Sequence, residues 1–214
     1  MKLKEYAGQD ITVTFDLKRC IHARNCFLQL PEVFDPTKRP WVQPDNASAE
    51  EVAAMIRTCP SGALAFRRNA GVEERAPKIN RLAVLENGPL VLAGDVGVEG
   101  HDRETRVALC RCGLSKNKPY CDYSHVEGGF VATGEPDPTT PPETSEAGGP
   151  TDVSRRPDGP LVIDGNLELC SGTGRRIGTV GKAFLCRCGA SQNKPFCDGS
   201  HKAAGFSDPV DPAS

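Results

Sequence analysis

The sequence predicts an α+β protein in four stretches: a small α/β domain over residues 1–75, a small β-rich unit over 80–132, a flexible Pro-rich linker over 133–154, and a second β-rich unit over 155–214, the two units packed as a pseudo-two-fold pair. Three observations carry this. A string of three cysteines and one histidine at 110–125 returns almost unchanged at 186–201. The 214 residues include 22 Gly and 18 Pro with 38% hydrophobic content, which favours turns and short strands over long helices. Between the copies, residues 134–150 are rich in Pro, Glu, Thr and Gly and too poor in apolar side chains to bury a core.

Taken in order, the chain opens polar and then alternates through Ile11, Val13 and Phe15, which predicts a strand. Phe27, Leu28 and Leu30 predict a short helix stopped by Pro31, and Trp41-Val42 a short strand, with Trp41 in the core. Ser48 followed by Glu51 is a capping box; it opens a helix with Val52, Met55 and Ile56 inward, ending near Thr58. Residues 63–66 then return as a strand. A polar stretch at 69–80 marks a boundary, after which residues 82–130 and 155–206 repeat one another. The Asn87-Gly88 and Asp158-Gly159 pairs are turn signals between strands. Gly94 pairs with Gly165, an apolar strand enters each cysteine string, and Phe130 and Phe206 each follow a histidine by five residues. A unit of about 50 residues has too little core to stand well alone, so the two should pack together.

Both strings have the spacing C-x-C-x8-C-x3-H: Cys110, Cys112, Cys121 and His125, then Cys186, Cys188, Cys197 and His201. Thiolate and imidazole together suit zinc, copper(I) or iron-sulfur. Structural zinc sites favour C-x2-4-C, which C-x-C misses, and two sulfide-bridged irons relax the demand that one small ion meet all four groups. Spacing alone leaves iron-sulfur, zinc and a non-metal thiol role open.

The run C-R-C-G-x-S-x-N-K-P-[YF]-C-D-x-S-H resembles the signature of the CDGSH iron-sulfur family, whose members bind a 2Fe-2S cluster through three Cys and one His. Two copies in one chain resemble its tandem branch, with both clusters on one polypeptide. The resemblance implies that Cys110 and Cys112 hold one iron and Cys121 with His125 the other, and that Cys186, Cys188, Cys197 and His201 repeat this. Tyr123 departs from the pattern, standing where Gly199 stands in the second copy.

Cys20, Cys26 and Cys59-Pro60 form a further constellation. Cys20 and Cys26 are spaced C-x5-C, with a C-P-S-G-A-L string at 59–64; this resembles divergent single-cluster ferredoxin domains over residues 6–70, with Ala23 where a central thiol would be. The resemblance implies a ferredoxin-like domain. Three thiols suit a 3Fe-4S cluster, or a 4Fe-4S cluster if water or His22 fills the fourth position, with buried structural thiols as the remaining reading.

Composition excludes some classes. A net charge of -2 with scattered basic residues argues against nucleic acid, and no run approaches 18 apolar residues, so no membrane span is expected. Ten cysteines at ligand spacings with no apolar leader predict a reducing, cytoplasmic setting. No nucleophile-base pair, phosphate loop or dinucleotide fingerprint predicts an enzyme. The expectation is a monomeric electron-transfer protein with an internal pseudo-dimer, serving a redox partner protein, or else a cluster donor to an apo acceptor or a redox sensor. Cys170 is expected to be a strand-end residue and His101 a solvated one, while Asp122 and Asp198 should order the loop between Cys and His.

Overall fold

The computed structural model describes residues 3–71, 74–136 and 147–209. Among them strands predominate, and no helix is long and apolar enough to cross a membrane. The chain divides into two compact units, Met1–Arg75 and Ala76–Ser214.

In the first unit, β1 (Lys4–Ala7), β2 (Ile11–Phe15) and β3 (Leu64–Arg68) form an antiparallel sheet in the order β1-β2-β3. Tyr6, Val13 and Phe66 lie in one cross-strand row, all buried. The expected polar opening is therefore partly strand. In Lys-Glu-Tyr-Ala only Tyr6 faces the core, so β1 carries too little alternation to be read locally. A short helix α1 (Asn25–Gln29) follows Cys20, and α2 (Ala49–Arg57) covers the sheet through Val52, Ala53, Met55 and Ile56. The capping box is present: the Glu51 amide donates to Ser48 Oγ at 3.3 Å and the Ser48 amide to Glu51 Oε2 at 2.9 Å. Trp41-Val42 makes a single bridge, Phe34 to Val42, instead of a strand. Trp41 itself packs edge-on against Phe15, with ring centroids 4.9 Å apart.

The second unit contains β4 (Arg81–Val84), β5 (Leu90–Val98), β6 (Glu104–Leu109), β7 (Gly148–Arg155), β8 (Leu161–Ser171) and β9 (Arg176–Leu185) in one six-stranded sheet. β4 pairs antiparallel with β5 and parallel with β8; β7 pairs antiparallel with β8 and parallel with β5. Each repeat's first strand thus lies between the long strands of both repeats, which removes edges that a small unit would otherwise expose. One buried core runs through both, from Leu82, Leu92 and Val107 to Val153, Ile163 and Leu185.

The expectation of a flexible linker over 133–154 is corrected in part. Residues 148–154 belong to β7, inside the sheet, while 137–146 lie outside the described residues. Only Thr151 and Val153 of β7 are buried, so its sequence looks like polar linker. What holds it is non-local: Asn80 Nδ2 donates to Gly149 O at 2.7 Å, Thr151 Oγ1 at 2.8 Å and Asn166 O at 3.0 Å. Gly94 makes room for this network, since a Cβ there would sit 2.3 Å from Asn80 Oδ1, and one at Gly165 would sit 2.6 Å from Thr151 Oγ1.

Candidate functional site

Each apolar strand ends at a cysteine string, and the string is tied back onto that strand. Cys110 N donates to Pro119 O and Cys121 N to Ala108 O, both at 2.8 Å, and Cys186 and Cys197 repeat these bonds to Pro195 and Phe184 at 2.8 Å. The serines close the intervening loops: Ser115 Oγ donates to Tyr120 O at 2.6 Å and Ser191 Oγ to Phe196 O at 2.7 Å. Asp122 accepts from the Lys116 amide at 2.8 Å and the Ser124 amide at 3.1 Å, and Asp198 from those of Gln192 at 2.8 Å and Ser200 at 2.9 Å. The Ser200 hydroxyl, followed by these amides of Gln192 and Ser200, holds the Asp198 carboxyl well below its ordinary range. Both aspartates order the loop as expected.

The histidines sit on single-turn helices, α3 (Ser124–Glu127) and α4 (Ser200–Ala203), entered through a left-handed residue: Tyr123 at φ 75 and Gly199 at φ 89. No atom outside its neighbours lies within 4 Å of where a Cβ on Gly199 would stand, so glycine serves the backbone there and not a close approach. Tyr123 accepts the same conformation and lays its ring edge-on to His125, centroids 5.2 Å apart.

The side chains come together in pairs. Cys110 Sγ lies 3.7 Å from Cys112 Sγ, and Cys121 Sγ 3.3 Å from His125 Nδ1; Cys186–Cys188 and Cys197–His201 repeat both distances, 3.7 and 3.3 Å. Two sulfurs on one tetrahedral metal at about 2.3 Å each would be about 3.8 Å apart. Among the described residues no three His, Cys, Asp or Glu side chains close on a single ion. The donor set fits two metals with two protein ligands each. Backbone amides face the sulfurs, Leu114 N to Cys112 Sγ and Ala190 N to Cys188 Sγ, both at 3.4 Å. Within the first pair, a hydrogen bond from Cys112 and amides of the following residues bring Cys110 down to about 6, and that same bond together with burial pushes Cys112 up. Burial pushes Cys121 up to about 12 and holds the His125 imidazole below its ordinary range. The first site is the more enclosed: Cys110, Cys112, Cys121 and His125 are all buried, whereas Cys188, Cys197 and His201 are partly exposed.

Sequence reasoning passed over Arg111 and Arg187, the middle residues of the two C-R-C triplets, although a charge repeated between paired thiols was visible. They are 1% and 2% exposed. Arg111 donates from Nε to Gly88 O at 2.9 Å and from Nη2 to Leu85 O at 2.5 Å; Arg187 does so to Gly159 O at 2.7 Å and Arg156 O at 2.7 Å. Each lies over the repeated aromatic, Phe130 at 5.3 Å and Phe206 at 5.1 Å. Each arginine therefore pins its string to the hairpin turn and to the segment after the histidine. The two strings also meet: a Cβ on Gly113 would stand 2.8 Å from Cys188 O, and one on Gly189 would stand 2.6 Å from Cys112 O.

In the first unit, Cys20, Cys26 and Cys59 line one cleft with His22, Ala23, Phe15 and Trp41. Burial raises Cys20 and Cys26, amides of His22 and Phe27 act against it, and the three thiols lie within electrostatic reach of one another. His22 and Arg24 have φ of 51 and 66, a left-handed backbone that helps turn N–H groups toward an anion. Cys170 is buried on β8 outside both pairs and His101 is exposed, its ring edge-on to Tyr120.

Residues 87–126 and 158–202 each match the family described as iron-binding zinc finger, CDGSH type, and residues 6–69 match the divergent 4Fe-4S mono-cluster family. The chain belongs to the CDGSH family, with a divergent mono-cluster domain ahead of its two CDGSH motifs. Uncharacterized protein YjdI of Escherichia coli K12, and the protein of that name in Escherichia coli O157:H7, are each 39% identical over 62 residues, 29% of this chain and 82% of theirs. The chain is an iron-sulfur protein. Its CDGSH motifs are where paired thiol and thiol-imidazole groups converge.

Proposed function

We propose that this protein transfers electrons through three clusters without turning over a substrate. Cys110, Cys112, Cys121 and His125 would hold one 2Fe-2S cluster and Cys186, Cys188, Cys197 and His201 the other. Cys20, Cys26 and Cys59 would hold a 3Fe-4S cluster, or a 4Fe-4S cluster whose fourth iron takes water or His22. When bound, each cluster accepts and returns one electron; the chain supplies position, N–H groups facing sulfur and, at the first CDGSH motif, exclusion of water. The pairwise closure at 3.7 and 3.3 Å, repeated in both motifs, carries this reading. The reciprocal contacts of Gly113 and Gly189 support a pseudo-two-fold pair within a monomer. The partner would be a redox protein in a reducing, cytoplasmic setting.

Partial exposure of Cys188, Cys197 and His201 favours a second reading for the second motif, delivery of its cluster to an apo acceptor. Anaerobic purification with iron counting and EPR tests the assignment. About 7 irons per chain are expected, or about 8 with a 4Fe-4S site, and only four irons would remove the N-terminal cluster. Close midpoint potentials accord with electron transfer, and complete loss to an acceptor under oxidised conditions with delivery.

A further inference from the structure

Arg111 and Arg187 occupy equivalent places but spend one donor differently. Arg111 Nη1 donates to a neutral carbonyl, Thr133 O at 3.0 Å; Arg187 Nη1 donates to the Asp208 carboxylate. Asp208 has a true counterpart in the first repeat, and it is Ala132. Ala132 N donates to Asn87 Oδ1 and Asn87 N to Ala132 O, both at 2.9 Å; Asp208 N donates to Asp158 Oδ1 at 2.7 Å and Asp158 N to Asp208 O at 3.3 Å. The same strap crosses the same turn in both repeats, and only the second delivers an acid to the buried arginine. The Asp208 side chain is 18% exposed, so solvent screens the pair weakly.

The remaining charges point the same way. Arg187 lies in the field of Arg155 and Asp158 as well as of Cys110 and Cys188; Arg111 lies in the field of the thiols Cys186 and Cys112 and beside His125. With Asp208 counted, the second site's neighbouring charges cancel, two cationic against two anionic, while among the described residues the hydrogen bonds of Arg111 go to carbonyls and to no carboxylate. A cation near a cluster stabilises its reduced, more negative form, and net charge is among the factors that set cluster potentials.

We propose that Asp208 lowers the reduction potential of the second CDGSH cluster relative to the first, by neutralising Arg187 where the equivalent Ala132 brings no carboxylate to Arg111. It biases an electron in this unit toward the first motif. The proposal rests on the cluster assignment above. Asp208 is a tuning residue that acts through Arg187, on a strap whose backbone bonds an asparagine would keep.

Potentiometric titration of the whole protein, followed by visible absorption and EPR, tests it; the step that His201→Cys displaces belongs to the second motif. Asp208→Asn should move that step upward and the first motif's step less. Asp208→Glu should restore it, and Ala132→Asp should move the first motif's step downward. An unmoved second step in Asp208→Asn, or a Glu variant that shifts as Asn does, overturns the proposal. Wild-type protein lacking the spectra of His-ligated clusters would instead bring down the cluster assignment, and this inference with it.

Discussion

Tyr123 shows how one side chain sets the character of a site. A non-glycine residue at φ 75 costs on the order of 1–3 kcal/mol, and the equivalent Gly199 at φ 89 avoids that cost. In return the ring covers His125, which is 7% exposed, while His201 is partly exposed. Burial depresses His125, Arg111 acts in the same direction, and Asp122 opposes both. The fold therefore favours the neutral imidazole, and acidification through the ordinary histidine range, near pH 6.5, works against that site. At about pH 6, the first cluster should bleach more slowly than the second, and Tyr123→Gly should remove the difference. Equal decay in the unaltered protein would show that covering His125 does not protect its cluster.

At the scale of elements, the turn inside each CDGSH motif is what the other motif packs on. Gly113 and Gly189 have φ of 84 and 83, and a Cβ on either meets a cysteine carbonyl of the opposite string. Gly113→Ala should cost on the order of 1–3 kcal/mol from the backbone alone. It must also push Cys188 aside, so iron should be lost from both motifs, as should Gly189→Ala. Gly199→Ala is the control, with the same backbone sign and nothing within 4 Å, and should leave the first motif loaded. Thermal melts with iron counts for the three variants check this. Loss confined to the mutated motif would mean that the strings tolerate separation.

Over the second unit as a whole, neither repeat owns its core. β4 needs β8 and β7 needs β5, and Leu82 and Val153 are buried in one cluster of side chains. Residues 76–209 should thus unfold in one transition, with both CDGSH chromophores lost together. A chain ending after Glu135 should fail to hold the first cluster, because β4 and β5 would lose their parallel partners. Two separate transitions in melts followed by far-ultraviolet dichroism and visible absorption would contradict the shared core.

What the sequence by itself determined is local in origin. The two C-x-C-x8-C-x3-H strings, the Ser48–Glu51 capping box, the Asn87-Gly88 turn and the C-P-S-G-A-L string are each read within a few residues, because ligand spacing, caps and turns are short-range chemistry. The strand of residues 148–155 was not legible, since its partners are Val96 and Ile163 and its stabilising hydrogen bonds come from Asn80. Nor was the reason that arginine stands between the paired thiols. Its donors reach Leu85 and Thr133 in one repeat, Arg156 and Asp208 in the other. Only tertiary structure decided these, because burying a charge depends on which distant carbonyl or carboxylate the folded chain brings to it, and no local pattern encodes that distance.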